Sequence, residues 1–152
     1  MEPALSTIHD YFEALNWGKA SNALPLFAGD ATLQVPALHQ EWSGPAGFLV
    51  YWNMWTRALP DRWLEIADLK TAGNWGVARY LLRGTHKGLL DTALGIVTPC
   101  GREIALPVTE VYDLCDGRFT RIHTSLDFGT LARQLGLMPC AEARPLSLML
   151  AN

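Results

Sequence analysis

Residues 102–114 read "REIALPVTEVYDL", and their alternation decides what kind of fold the chain makes. Ile104, Leu106, Val108, Glu110, Tyr112 and Leu114 fall on one face, and Ala105, Pro107, Thr109, Val111 and Asp113 on the other. That two-residue period is a strand's, not a helix's. The apolar face needs a layer to cover it, so the strand belongs to a sheet packed on one side. Glu110 stands alone on that face. A carboxylate among apolar neighbours is costly unless it is solvated, paired or functional, and desolvation raises its pKa toward the range useful to a general base. Two blander explanations compete: a bulge at Pro107 that turns Glu110 outward, and a structural ion pair with Arg79 or Arg83.

Strand texture extends on both sides of this stretch. "RWLEIADLK", "WGVARYLLRGTHKG" and "RFTRIHTSL" are separated by the turn signals "AGN", "TPCG" and "CDG", which gives four strands in a meander. In the last of them Thr120, Ile122, Thr124 and Leu126 form the more apolar set, expected to face the core, with Phe119, Arg121, His123 and Ser125 opposite. Before Pro60 the period is helical. Ile8, Tyr11, Phe12 and Leu15 recur at three and four residues behind a possible Ser6 or Thr7 cap, with Gly18 as the stop. A second short helix is expected over residues 20–27, ending at "AGD", followed by a brief strand "ATLQV". A third follows Ser43, with Phe48, Leu49, Trp52, Trp55 and Leu59 on one face and Pro60 closing it. Helices first and an antiparallel meander afterwards make an α+β domain with the helices on one sheet face.

The 152 residues, 49% of them hydrophobic, suit one domain over residues 1–152. The net charge of −3 is spread without long runs of one sign, so no footprint for nucleic acid is expected. No stretch approaches the roughly twenty apolar residues of a membrane span. The first residues lack the layout of a signal peptide, and three cysteines without a CxxC pair argue against a disulfide framework or structural zinc. A soluble, cytoplasmic protein is the expectation. The apolar tail, residues 139–152, is expected to dock on the body or on a partner subunit. Six tryptophans either fill the core or line an apolar cavity.

Other candidate groups are weighed the same way. Asp127 follows the last strand and precedes "FGTLARQLG", a position suited to a helix N-cap that could also border a cavity. His86, in "RGTHKG", reads as exposed or as a group at a cavity mouth, and His123 as a surface or interface residue. No HxH, HExxH, GxSxG or phosphate-binding glycine loop is present and the four histidines are scattered, so no metal site is expected and chemistry, if any, is acid/base chemistry on an apolar molecule.

The chain resembles the SnoaL-like polyketide cyclases of the NTF2-like superfamily. The resemblance rests on "YFEALNWGKASNALPLFAGDA", "WSGPAGFLVYW", "LRGTHKG", "TPCGREI" and "DGRF…DFGTLARQLGLMP", and it covers residues 6–139. It implies a cone-shaped α+β barrel, a curved antiparallel sheet with the N-terminal helices on its concave face, a deep pocket between them, and commonly a homodimer. Such enzymes close rings by intramolecular aldol reaction without metal or organic cofactor, while relatives isomerise, dehydrate, hydrate epoxides or hydroxylate. The family's usual acid/base aspartate would fall at Thr124. Glu110, His86 and Asp127 match other functional positions, and "LLDTALGIV" lengthens the pocket rim.

The reading that results is a cofactor-independent enzyme acting on an apolar, polyketide-like molecule by cyclase or isomerase proton transfer. Glu110 takes a proton beside a carbonyl, Tyr112 or His86 supports the oxyanion, and Trp42, Trp52, Trp55, Ile122 and Thr124 complete the substrate-binding set. Asp127 is mainly structural. A non-catalytic small-ligand module is the first alternative. An epoxide hydrolase using Arg79, Arg83 or Arg121, or a cofactor-free hydroxylase, follows it. A homodimer is expected through the convex sheet face carrying Thr109 and Val111.

Overall fold

The protein is described here from a computed structural model covering residues 2–17 and 19–137; Gly18 and the tail at 139–152 lie outside the described residues. Helix α1 (Pro3–Asn16) buries Ala4, Thr7, Ile8, Tyr11, Phe12 and Leu15, the stripe the spacing predicts. It starts earlier than the expected Ser6 or Thr7 cap. Pro3 is pre-set for a first helical turn, which frees the Thr7 hydroxyl to donate to the Gly117 carbonyl at 2.6 Å. The second expected helix is a 3₁₀ segment, Ala20–Leu26, carrying Pro25. "AGD" is not its stop but part of β1 (Phe27–Val35), and the short β2 (Gln40–Ser43) has too little pattern to be read from sequence. Helix α2 (Gly44–Ala58) buries Phe48, Tyr51, Trp52, Met54, Trp55 and Ala58.

The remaining elements are β3 (Trp63–Ala72), β4 (Trp75–Thr85), the small hairpin β5 (Leu90–Thr92) and β6 (Gly95–Val97), β7 (Glu103–Cys115), β8 (Arg118–Leu126) and α3 (Phe128–Gln134). The main sheet runs β2-β1-β8-β7-β4-β3. Its meander β3-β4-β7-β8 is antiparallel as expected, but β1 lies parallel to β8. The sheet is therefore mixed, and with β2 and β3 left as edges it is an open curved layer instead of a closed barrel. Register shifts in β1, β3 and β8 bend the strands. The shift in β8 matters most. Asp113 pairs with Arg121 but Leu114 with Phe119, so Thr120 is the extra residue and Phe119, expected to point outward, is fully buried.

Two side-chain amides complete the sheet where strands run out of partners. Asn16, the last residue of α1, donates to the Leu64 carbonyl at 3.0 Å and accepts from its N–H at 2.8 Å. Gln134 on α3 does the same at Ala105, at 2.8 and 2.9 Å, on the part of β7 that β8 no longer reaches.

The chain after β4 is clamped to the end of α2. The N–H groups of Lys87 and Gly88 both donate to the Ala58 carbonyl, at 3.0 and 3.2 Å, and a Cβ on Gly88 would sit 1.9 Å from the Arg57 carbonyl oxygen. Gly88→Ala is expected to destabilise the fold by about 1–3 kcal/mol, as overpacking of a tight site does. A melting temperature equal to wild type would refute this docking of the segment.

Candidate functional site

Glu110 points into the core, 1% exposed, as the alternation of β7 requires, and Pro107 does not turn it outward. Its carboxylate is held by hydroxyls alone. Tyr11 of α1 and Tyr112 of β7 donate to Oε1 at 3.2 and 2.9 Å, and Thr124 of β8 donates to Oε2 at 2.7 Å. No cation among the described residues bonds it: Arg79 pairs with Asp68 and Arg83 with Glu65, both in exposed pairs. Thr124 is Glu110's cross-strand partner in register, so this carboxylate reaches, from the neighbouring strand, the place where the resemblance puts an aspartate.

Burial pushes the Glu110 pKa above its ordinary 4.5, against the opposing pull of the Thr124, Tyr112, Tyr11 and Tyr80 hydroxyls. The balance is understandable in magnitude. Desolvating a carboxylate costs several kcal/mol, and hydrogen bonds to a charged group return about 1.5–3 kcal/mol each. The tyrosines feel the same charge: burial first, and Glu110 second, raise the pKa values of Tyr11, Tyr51, Tyr80 and Tyr112. Tyr80 of β4 thus adds a fourth hydroxyl to the three around this carboxylate.

Of the expected wall, Trp52, Trp55, Tyr112, Ile122 and Thr124 are buried. Trp42 is half-buried and packs on Tyr51 with ring centroids 4.9 Å apart. Tyr11, Tyr51 and Tyr80 were not among the expected site residues. Their positions on the apolar stripes of α1, α2 and β4 were the available signal, since a buried tyrosine hydroxyl needs a partner.

His86 is fully buried, not exposed. Its Nδ1 accepts the Cys100 N–H at 3.3 Å and lies 3.2 Å from the Cys100 sulfur, which leaves the proton on Nε2, a buried atom without a hydrogen bond of good geometry. Burial lowers the His86 pKa, with a smaller opposing effect from the Gly88 backbone. Asp127 is exposed and caps α3: its carboxylate accepts the Gly129 N–H at 2.9 Å and the Thr130 hydroxyl at 2.8 Å. The Thr130 hydroxyl and then the backbone N–H groups hold its pKa below the usual carboxylate range. It does not contact Glu110. Three residues separate it from Thr124, roughly 10 Å along an extended strand.

Surface clefts lie elsewhere. One of about 510 Å³ is bordered by Asp10, Glu13 and Trp17, another of about 280 Å³ by Asp61, Arg83 and Thr85. Beside the first, His9, Asp10 and Glu13 bring potential metal-ligand atoms within 4.8 Å of one another, all exposed. No helix among the described residues is long and apolar enough to cross a membrane.

The raised pKa of Glu110 makes a stability prediction. A group whose folded-state pKa lies above its unfolded value contributes stability below the unfolded pKa and loses it as pH rises through the folded one. Wild-type unfolding free energy should fall relative to Glu110→Gln as pH is raised from about 4 to about 8. Parallel profiles in urea titrations would mean that the carboxylate ionises as freely as in water.

Comparison with known proteins agrees with this architecture. No curated protein matches the chain. Among solved structures, IdmH of Streptomyces antibioticus, described as a candidate polyketide cyclase, is 26% identical over 90% of this chain and 99% of its own, with a TM-score of 0.73. A candidate SnoaL-like polyketide cyclase from Jannaschia sp. CCS1 is 15% identical over 90% and 94%, with a TM-score of 0.78. AclR of Streptomyces galilaeus, described as a candidate hydroxylase, is 18% identical over 97% and 88%, with a TM-score of 0.77. The family model for the SnoaL-like domain matches residues 8–122, most of the described sheet and both long helices, and the chain belongs to the SnoaL-like family of the NTF2-like superfamily.

Proposed function

We propose that the protein is a cofactor-independent enzyme that moves a proton on an apolar, carbonyl-bearing small molecule, with Glu110 as its base. One observation carries this reading: a carboxylate buried in the aromatic core, bonded by neutral hydroxyls and by no cation. A purely structural acid in that place would gain from an arginine or lysine partner, whereas a base must keep its affinity for a proton.

In the proposed step the Glu110 carboxylate takes a proton from carbon beside a carbonyl, and the C–H electron pair moves onto the carbonyl oxygen as an enolate. Tyr112 has committed its proton to the ionised Glu110. Once Glu110 holds the transferred proton its demand for donors falls, which releases the Tyr112 or Tyr11 hydroxyl to that oxygen; His86, opposite Arg102 and eight residues along the ladder from Glu110, roughly 26 Å in an extended strand, is out of reach. For ring closure the enolate carbon bonds to a second carbonyl carbon, whose oxygen recovers the proton from Glu110. For isomerisation the proton returns to another carbon. The names of IdmH and the Jannaschia protein support ring closure on a polyketide-like substrate.

A second reading, a ligand-binding module without turnover, is favoured by the surface clefts that stop short of Glu110. Epoxide hydrolysis is less favoured, because Arg79 and Arg83 are paired at the surface and Arg121 is exposed. A homodimer through the outer sheet face belongs to the proposal, supported by half-buried Thr109 and Val111. Sedimentation as a monomer at micromolar concentration would count against it.

Glu110→Gln should leave the circular dichroism spectrum unchanged and lower turnover by roughly 10²–10⁴-fold, the usual weight of a general base. Asp127→Asn should lower the melting temperature and keep turnover. The opposite pattern, an inactive Asp127→Asn beside an active Glu110→Gln, would reverse the assignment.

A further inference from the structure

Four buried side-chain nitrogens among the described residues lack a hydrogen bond of good geometry: Trp52 Nε1, Trp55 Nε1, Arg62 Nε and His86 Nε2; Trp55 leans on the Tyr51 hydroxyl and His86 on the Gly88 backbone, so Trp52 and Arg62 are the two with no partner at all. All four carry protons. Indole and guanidinium nitrogens only donate, and Nδ1 of His86 already accepts the Cys100 N–H, which places the ring proton on Nε2. Scattered packing faults would orphan acceptors as well as donors, and a buried polar group without a partner calls for an explanation. The four are also gathered in one region. Trp52 and Trp55 are neighbours on the inward face of α2, the Arg62 guanidinium lies over the Trp52 ring at 5.6 Å, and His86 opens the segment bonded to Ala58 at the end of α2.

Arg62 gives this donor cluster a sign. Arg57, Arg79 and Arg83 pair with Asp91, Asp68 and Glu65, whereas Arg62 has no carboxylate within ion-pair distance among the described residues. Its Nε is sealed from water by the Trp52 side, while the residue as a whole is only half-buried. A cation over an indole whose N–H is also unpartnered matches a planar anionic oxygen pair on an aromatic body.

We propose that Arg62 and Trp52, with Trp55 beside them, form a subsite for a carboxylate group on the substrate, distinct from the carbonyl beside Glu110. The substrate class is thereby narrowed from an apolar ketone to an aromatic or polyene keto acid. This inference rests on the proposed function for its placement of the reacting carbonyl, but its test does not. The carboxylate would supply the acceptors that the cluster lacks, approaching from the half-buried Arg62 side, since Trp52 and Trp55 are themselves buried.

The probes are 2-naphthoate and its methyl ester, which share one body and differ in the charge. Calorimetric titration of the intact protein should show naphthoate binding at least about tenfold more tightly than the ester, the scale of a charge-assisted hydrogen bond. Arg62→Gln should remove that preference and leave the ester's affinity unchanged. Trp52→Phe, which keeps an aromatic ring and loses the N–H, should reduce it in part. Glu110→Gln should bind naphthoate as well as wild type or better, because a negative charge has been removed. Equal affinity of acid and ester, a preference that survives Arg62→Gln, or binding of neither probe would each overturn the subsite. Loss of turnover in Glu110→Gln alongside any of these would leave the base assignment standing and the subsite alone refuted.

Discussion

A single carboxylate in the core sets the terms for everything packed around it. Glu110 draws hydroxyl donors from α1, β7 and β8, so one helix and two strands must meet at one point with oxygen atoms near 3 Å apart. Tyr11 meets this demand from α1, and its ring in turn packs against Phe12, Phe48, Tyr112 and Phe119. The aromatic core and the polar anchor are therefore the same structure. Shifting α1 by one residue would leave the acid a donor short in a medium where each such loss is costly. Slipping β8 against β7 would do the same through Thr124.

That anchor also bears on how the family's chemistry is distributed in this chain. The site expected on β8 carries only the Thr124 hydroxyl, and the carboxylate opposite it on β7 projects into the same place. A ladder makes such an exchange geometrically cheap, because directly opposed side chains on one face lie about 4.5–5.5 Å apart. Thr124 then serves the acid it faces. Tyr112 is likewise absorbed into holding Glu110.

Much of this was legible in the chain. The alternation of 102–114 placed Glu110 inward and every neighbour on its proper side, because period two is a property of the strand itself. The stripe of α1 was equally plain; that of α2 was legible at Phe48, Trp52, Trp55 and Leu59, while Tyr51 and Met54 are buried where Leu49 was expected. What escaped the reading depended on partners distant in sequence. The parallel pairing of β1 with β8 leaves no local mark, and the extra residue at Thr120 reverses the expected direction of Phe119. His86 in its loop read as exposed or at a cavity mouth, yet it is fully buried, while the close approach its flanking glycines permit is made by Gly88 against Arg57. Asp127 was read correctly as a cap, since its signal lies wholly in the residues next to it.

Asn16 and Gln134 each offer the sheet one donor and one acceptor from a single side chain, so each acts as a detached peptide group laid beside a strand. Only a carboxamide has that pairing; hydrolysis to the acid would turn the donor into a second acceptor facing a backbone carbonyl. The fold therefore carries two chemical clocks at its margins. At Asn16 the clock guards the edge strand β3, and its running down would bare the Leu64 backbone to the open rim of any other sheet that drifts past.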